Sequence, residues 1–193
     1  MVQQVGPDEI VAFFADKRMN VLTLLGYSAA EYEDKPAMLA HVERVLDQHE
    51  SRATIVNIGA TRQGIGAAYE IAKRRGFSTS GIVSTLAKDV RAELSPCVDF
   101  LFYVLDTTWG GFLKGTERLS ATSTAMVESS DRLVAIGGGP IARDEFIAAT
   151  RRGKSTLFIP ADMNHALASE QAARSNRPVP TDFRGALAEA LAR

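Results

Sequence analysis

The chain has 193 residues, of which 46% are hydrophobic and 23% are charged, as in ordinary globular domains. Lys and Arg total 22 and Asp and Glu total 23, so a formal charge of −1 argues against nucleic acid as the main partner. The single cysteine, Cys97, excludes an internal disulfide. No window reaches the roughly 18 apolar residues of a membrane span, so we expect one soluble, cytoplasmic domain over residues 1–193.

Helical and apolar segments alternate along the chain. The first segment, 7–17, starts with a proline and predicts a short amphipathic helix. Apolar runs predict buried strands at about 20–25, 54–58, 80–84, 98–105, 132–136 and 156–159. Helical spacing and glycine stops predict helices at about 36–49, 66–75, 116–130, 143–152 and 182–191. This alternation predicts a doubly wound α/β fold, with a mostly parallel sheet between two helical layers and its core at about 20–160.

Three glycine-rich loops, 26–28, 59–66 and 137–139, follow predicted strands. Ligands of open parallel sheets bind beyond the carboxyl ends of the strands, where a following helix directs free N–H groups at them. A phosphate suits such loops, and Arg62 offers it a guanidinium. The residues predicted to bind a nucleotide or ribose-phosphate ligand are Gly26, Tyr27, Ser28, Gly59, Thr61, Arg62, Gly64, Gly66, Gly137, Gly138 and Gly139.

The second of these loops also resembles the glycine loop of short-chain dehydrogenases, and Tyr69 and Lys73 have the Y-x-x-x-K spacing of those enzymes. However, the loop does not follow the first strand, Ala60 stands where its first glycine belongs, and no acidic residue ends the next strand. We therefore interpret Tyr69 and Lys73 as residues of a helix face. An NAD(P)-dependent reductase stays as an alternative that depends on loop 59–66 alone.

Other catalytic motifs and metal sites lack support in the sequence. The three histidines and Cys97 do not have the spacing of metal ligands, so we expect no metal. The motifs G-x-S-x-G and G-x-x-x-x-G-K-[ST] are absent, which argues against an α/β-hydrolase and a P-loop NTPase.

A further motif follows the predicted strand 132–136. Ser130 and Asp131 lead into this strand, and the sequence I-G-G-G-P-I-A-R-D-E occupies 136–145. With the first two loops, this order resembles the SLOG superfamily, which contains Lonely Guy-type cytokinin phosphoribohydrolases, lysine decarboxylase-like proteins and molybdenum-cofactor carrier proteins. The match runs over about 20–160, and it implies a Rossmann-like three-layer sandwich that binds a nucleotide.

The chain departs from the hydrolases of this superfamily at the catalytic positions. They carry an arginine nine residues before the aspartate at 131, where Thr122 stands here, and their motif glutamate aligns with Asp144 or, one residue shifted, with Glu145. A carboxylate in that place helps water attack the ribose of a nucleoside 5′-monophosphate. The candidate catalytic residues are therefore Asp144 and Glu145, with Glu117 and Arg118 about one helical turn before Thr122.

We thus expect a protein that binds a nucleotide or a phosphorylated ribose and that hydrolyses an N-glycosidic bond if it is an enzyme. The missing arginine suits the alternative of a non-catalytic nucleotide sensor or a binding protein similar to molybdenum-cofactor carriers. The resemblance also implies a homo-oligomer, a dimer or higher. The sequence assigns no role to loop 106–115 or to tail 161–181.

Overall fold

A parallel sheet runs through the centre of the computed structural model, which describes residues 1–176 and 178–192. Within these residues seven strands form one sheet in the order β1-β5-β4-β3-β2-β6-β7, and all neighbouring pairs are parallel. The strands are β1 (Val2–Gln4), β2 (Asn20–Gly26), β3 (Thr54–Ile58), β4 (Ser78–Ser84), β5 (Phe100–Val104), β6 (Arg132–Ile136) and β7 (Ser155–Ile159).

Helices cover both faces of the sheet. They are α1 (Pro7–Lys17), α2 (Lys35–Leu46), α3 (Ala68–Arg74), α4 (Leu86–Asp89), α5 (Ala121–Glu128), α6 (Pro140–Arg151), α7 (His165–Arg174) and α8 (Gly185–Leu191), with 3-10 turns at Ser51–Ala53 and Gly64–Ala67. None of the described helices is long and apolar enough to cross a bilayer.

Two hydrophobic cores lie on opposite faces of the sheet. Val21 and Leu25 of β2 pack with α1, α5, α6 and α8, whereas Leu22 and Leu24 pack with α2 and α3. Side chains of a strand alternate between faces, so one buried strand contributes to both cores. The predicted doubly wound, three-layer α/β sandwich is therefore confirmed, with a sheet that is entirely parallel in the described residues.

Two helices start at residues other than those predicted. Helix α5 begins at Ala121 rather than at 116, because Ser120 caps it and accepts a hydrogen bond from the backbone N–H of Ser123. Helix α6 begins at Pro140 rather than at 143, because proline fits the first turn of a helix, where its missing N–H is not needed. The predicted start of the earlier helix is therefore five residues too early, and that of the later helix three residues too late.

The sequence reasoning missed β1, α4 and α7. Strand β1 is exposed and has the sequence VQQ, so no apolar alternation reveals it, and it pairs with β5 through the backbone. Helix α7 lies in the tail, where the Asn164 side chain accepts a hydrogen bond from the backbone N–H of Leu167. The last helix starts at Gly185 rather than at 182.

The strand order places the three glycine loops side by side. Strand β2 lies between β3 and β6, so the direction of winding reverses there and the carboxyl ends of these three strands are neighbours. Open α/β sheets bind ligands at such a switch point. A candidate site is therefore expected above β2, β3 and β6.

Candidate functional site

A cavity of about 530 Å³ opens at this carboxyl edge. Its size is typical of small-molecule sites, and its surface is mostly apolar. The floor consists of residues near the ends of the central strands, including Leu24, Leu25, Ile58, Ile82 and Val83. The polar side chains around it are few and come from loops and helices, among them Ser28, Thr61, Gln63, Thr122 and Glu145. This arrangement suits a ligand with an apolar body and a few polar groups.

Part of the predicted binding set lines this cavity. Gly59 and Gly139 are its open positions, because a Cβ atom built at either would meet no atom within 4 Å. Gly139 is also the N-cap residue of α6, so the free N–H groups of the first turn lie beside it. The predicted binding residues that line the cavity are Gly26, Tyr27, Ser28, Gly59, Thr61 and Gly139.

Gly64 and Gly66 serve the packing of the loops rather than the cavity surface. Gly64 has a φ of +58°, and a Cβ there would overlap the carbonyl oxygen of Tyr27. A Cβ at Gly66 would overlap the carbonyl oxygen of Thr61. The backbone N–H of Ile65 donates to the Tyr27 oxygen at 2.8 Å, which ties the loop after β3 to the loop after β2.

Gly137 and Gly138 accommodate the C-terminal tail. A Cβ at Gly137 would lie 2.5 Å from the Tyr27 ring, and Gly138 accepts a hydrogen bond from the backbone N–H of Leu187 in α8 (3.1 Å). The Tyr27 hydroxyl donates to the carbonyl oxygen of Arg184 at 2.8 Å. Gly137 thus packs against Tyr27 and Gly138 against α8, whereas Gly139 lines the cavity.

Three predicted side chains, those of Arg62, Glu117 and Arg118, do not line the cavity. Arg62 forms an exposed ion pair with Glu93 and lines a neighbouring groove of about 290 Å³. Glu117 pairs with Arg151 at 3.1 Å on the surface. Glu117 and Arg118 precede α5, so their predicted position one turn before Thr122 on the same helix is wrong.

The described residues around the cavity therefore include no lysine or arginine. Nor do the described parts of the chain contain a group of three or more His, Cys, Asp or Glu side chains placed to hold a metal ion. A ligand phosphate would accordingly depend on backbone N–H groups and hydroxyls for its hydrogen bonds.

The two adjacent carboxylates on α6 face different surroundings. Glu145 is 4% exposed, lines the cavity and accepts a hydrogen bond from Ser123 Oγ at 2.6 Å. Burial raises the pKa of Glu145 to about 7; the Ser123 hydrogen bond opposes this shift, and the charge of Asp144 adds to it. Asp144 instead accepts from the backbone N–H of Phe112 at 2.8 Å and pairs with Arg143. Of the predicted pair, Glu145 is the carboxyl group that can reach a ligand.

Thr122, which the sequence comparison aligned with the arginine of the hydrolases, lines the cavity and is 3% exposed. Its Oγ1 approaches the Asp106 carboxylate without forming a hydrogen bond of normal geometry, so this buried oxygen has no hydrogen-bond partner in the described chain. An unpartnered buried hydroxyl costs free energy. A polar ligand atom that bonded to Thr122 would remove this cost.

The apolar wall of the cavity has little signal in the sequence. Trp109, Val90 and Ile141 line it, and all three are exposed. The one available signal was loop 106–115, which follows a strand and places a tryptophan among small and polar residues. A tryptophan in such a loop is not by itself evidence of a site, so the sequence did not identify Trp109 as a residue of the cavity.

Asp106 fastens the start of this loop to α5. Its carboxylate accepts hydrogen bonds from the backbone N–H groups of Thr122 (2.8 Å) and Thr108 (2.9 Å). Burial alone would raise the pKa of Asp106, but these hydrogen bonds, with those from the hydroxyls of Thr108 and Ser120, outweigh it and lower the pKa.

We therefore expect Asp106→Ala to lower the free energy of unfolding by about 1–2 kcal/mol at pH 7. The charged Asp106 carboxylate stabilises the folded protein fully only above the unfolded-state pKa of that group. The difference in the free energy of unfolding between Asp106→Ala and wild type should therefore shrink as the pH falls below about 4. Urea denaturation at pH 7 and at a pH below about 4 measures this difference. Asp16→Ala, on the exposed face of α1, is the control. Equal stability of Asp106→Ala and wild type at pH 7 would contradict this role.

Tyr69 and Lys73 are engaged elsewhere. The Tyr69 hydroxyl donates to the carbonyl oxygen of Ser80 at 2.8 Å and accepts from the backbone N–H of Ala60 at 3.2 Å. Burial raises the pKa of Tyr69, and Lys73 pairs with Asp99 at 2.8 Å. Both residues lie on helix α3, as interpreted from the sequence, and neither lines the cavity.

No protein-family model matches this chain, and no curated protein matches it significantly. Solved structures of the molybdenum cofactor carrier protein from Chlamydomonas reinhardtii do match. One is 22% identical with a TM-score of 0.53 and covers 73% of this chain and 76% of its own. Another is 19% identical with a TM-score of 0.53 and covers 91% and 97%.

This chain has the fold of that carrier protein. The protein TM1055 shares it too, at 16% identity and a TM-score of 0.50, over 72% of each chain. The Rossmann-like three-layer α/β sandwich expected from the sequence is thereby confirmed. It explains why those loops converge on one cavity, since the shared sheet topology brings the ends of β3, β2 and β6 together.

Proposed function

We propose that this protein binds a small phosphorylated ligand of the nucleotide type in the cavity at the carboxyl edge of the sheet, and that it releases the ligand unchanged, as a carrier or sensor does. The observation that carries the proposal is the cavity itself, which is mostly apolar, has an open glycine in the loop after β3 and another at the N-terminus of α6, and has no lysine or arginine among the described residues that line it. The similar carrier protein from Chlamydomonas reinhardtii is named for its cargo, the molybdenum cofactor, which supports a binding role here.

The phosphate end of the ligand would lie at the glycine loops. Gly139 caps α6, whose first-turn N–H groups and positive dipole end favour an anion. In the loops after β2 and β3, Ser28 Oγ and Thr61 Oγ1 form an exposed hydrogen bond of 3.0 Å with each other. Both hydroxyls can therefore turn to a phosphate oxygen. Binding through neutral groups is weaker than binding through a guanidinium, and this suits reversible release.

N-glycosidic hydrolysis is the second candidate, and Glu145 favours it. A buried carboxyl group with a pKa of about 7 can hold a proton near neutral pH and transfer it to or from a reacting group. Against hydrolysis, Thr122 replaces the arginine of the hydrolases, and the described cavity lining supplies no other cation. We therefore favour binding without turnover.

A titration of AMP by calorimetry, with the incubated mixture assayed for free adenine, tests the proposal. Gly59→Val and Gly139→Val should each weaken AMP binding by about tenfold or more, because the new side chain would occupy the space of the phosphate. Both variants should keep the wild-type midpoint of urea unfolding, since a Cβ at either position meets no other atom within 4 Å.

Each result has a distinct meaning. AMP binding that neither variant weakens would remove the glycine loops from the site. Release of adenine by the wild-type protein would overturn the carrier or sensor role in favour of hydrolysis, and Glu145→Gln should then abolish that release. Absence of AMP binding to the wild-type protein would overturn the assignment of a nucleotide-type ligand.

A further inference from the structure

Trp109 is the only tryptophan of the chain, and it stands at the wall of the cavity with 43% of its surface exposed. A tryptophan side chain gains much from burial, so its exposure beside a concave apolar surface leaves a large contact area unused. Its neighbours around the cavity include Val90 and Ile141, which are also exposed apolar residues. A ligand between these side chains would remove all three from water.

The loop that carries Trp109 is fastened on both sides. Before it, the backbone N–H of Thr108 donates to Asp106 at 2.9 Å. After it, the backbone N–H of Gly111 donates to Ser123 Oγ at 2.7 Å, and that hydroxyl donates in turn to Glu145. These hydrogen bonds fix the backbone around Trp109, so little backbone entropy is lost when a ligand binds beside it.

Gly110 lets the loop pass close to the cavity wall. Its φ is +136°, and a Cβ there would lie 2.8 Å from Ser123 Oγ and 3.0 Å from a methyl carbon of Ile141. This close approach places Gly110, the residue after Trp109, against Ile141 near the N-terminus of α6, and Trp109 and Ile141 both line the cavity. A planar group in the cavity can therefore lie against the indole.

We propose that Trp109 stacks on the planar heteroaromatic ring of the ligand and so makes the cavity selective for ring-bearing phosphates, such as purine nucleotides or phosphorylated pterins, over ring-free sugar phosphates. This inference rests on the proposed binding function. The ring lies at the apolar end of the cavity, and the phosphate lies at Gly59 and Gly139. Glu145 and Thr122 are the polar side chains at the cavity wall that can hydrogen-bond to the edge of the ring.

Intrinsic fluorescence and calorimetry together test this role. Because the chain has one tryptophan, quenching by AMP or by neopterin phosphate reports contact at Trp109 directly, whereas ribose 5-phosphate should not quench. By calorimetry, Trp109→Ala should weaken binding of the better ring-bearing probe by about tenfold or more, and Trp109→Phe by less than about threefold. Ribose 5-phosphate should bind wild type and Trp109→Ala equally. Leu105→Ala, which removes an exposed apolar side chain outside the cavity lining, should change neither affinity.

The outcomes separate the two proposals. If a ring-bearing probe binds Trp109→Ala as tightly as wild type, stacking is overturned and the binding function stands. An equal loss of affinity in Trp109→Phe and Trp109→Ala would also overturn stacking, because phenylalanine keeps an aromatic face. If neither ring-bearing probe binds the wild-type protein, both the stacking and the proposed function are overturned.

Discussion

At pH 8, Glu145→Gln should unfold at a higher urea concentration than the wild-type protein. Glu145 is buried against Asp144, and its pKa is raised from 4.5 to about 7 in the folded protein. A carboxyl group with a raised folded-state pKa makes the folded state less stable as the pH rises from the unfolded-state pKa through the folded-state pKa. Glutamine is neutral at every pH and keeps an oxygen that can accept the hydrogen bond from Ser123.

The stability difference between Glu145→Gln and wild type should therefore grow by roughly 3 kcal/mol between pH 4 and pH 8. Urea unfolding across this range measures it. Glu117→Gln removes the same formal charge from an exposed position and controls for the change in net charge. A difference that stays constant from pH 4 to pH 8 would show that Glu145 titrates in the folded protein as it does in the unfolded one.

Gly64→Ala should lower the free energy of unfolding by roughly 3 kcal/mol. Gly64 has a φ of +58°, which an L-residue adopts at a cost, and its new methyl group would overlap the carbonyl oxygens of Tyr27 and Ser28. The loop cannot move aside without breaking the hydrogen bond from Ile65 to Tyr27 (2.8 Å). Urea or thermal unfolding measures the loss.

Gly59→Ala is the matched control. Gly59 belongs to the same loop, but its φ lies outside the left-handed region and a Cβ there meets no atom within 4 Å. Its free energy of unfolding should stay within about 0.5 kcal/mol of wild type. Equal destabilisation by the two substitutions would mean that the loop needs glycine along its whole length, and not only where the loops after β2 and β3 touch.

The pair of glycine variants also bears on the candidate site. If Gly64 holds the two loops together, its loss should weaken ligand binding only through the stability of the loops. A substitution at Gly59 should instead weaken binding without loss of stability, because it narrows the cavity of a protein that stays folded. Comparison of stability and AMP affinity in the same variants therefore distinguishes supporting glycines from ligand-facing ones.

Much of the fold could be predicted from the sequence, because its signals are local. Helix α1 (Pro7–Lys17), β3 (Thr54–Ile58) and β6 (Arg132–Ile136) have the predicted bounds, since a proline or a glycine marks an end next to an apolar pattern. Their alternation was sufficient to predict the parallel sheet and the doubly wound α/β sandwich. Strand β1 escaped because its three residues pair through the backbone and bury no apolar side chain.

The candidate site followed from the sequence only in outline. The single-domain organisation and the homo-oligomer stay predictions, to be measured by limited proteolysis and by light scattering. The catalytic role of Glu145 also stays a prediction. The position of Trp109 at the cavity shows the limit most clearly, because its place depends on where β5 ends and on how α5 and α6 hold loop 106–115.

By itself, the sequence determined which glycine-rich loops lie at the carboxyl edge, because each of them follows a strand of a parallel sheet. Only the tertiary structure decided which side chains in those loops face the ligand. Adjacent residues on an α-helix point about 100° apart, so one position separates Glu145 in the cavity from Asp144 on the loop. The direction of a side chain also decides the role of Arg62. It lies in the predicted loop 59–66, but it forms an ion pair with Glu93, which only the folded chain brings near.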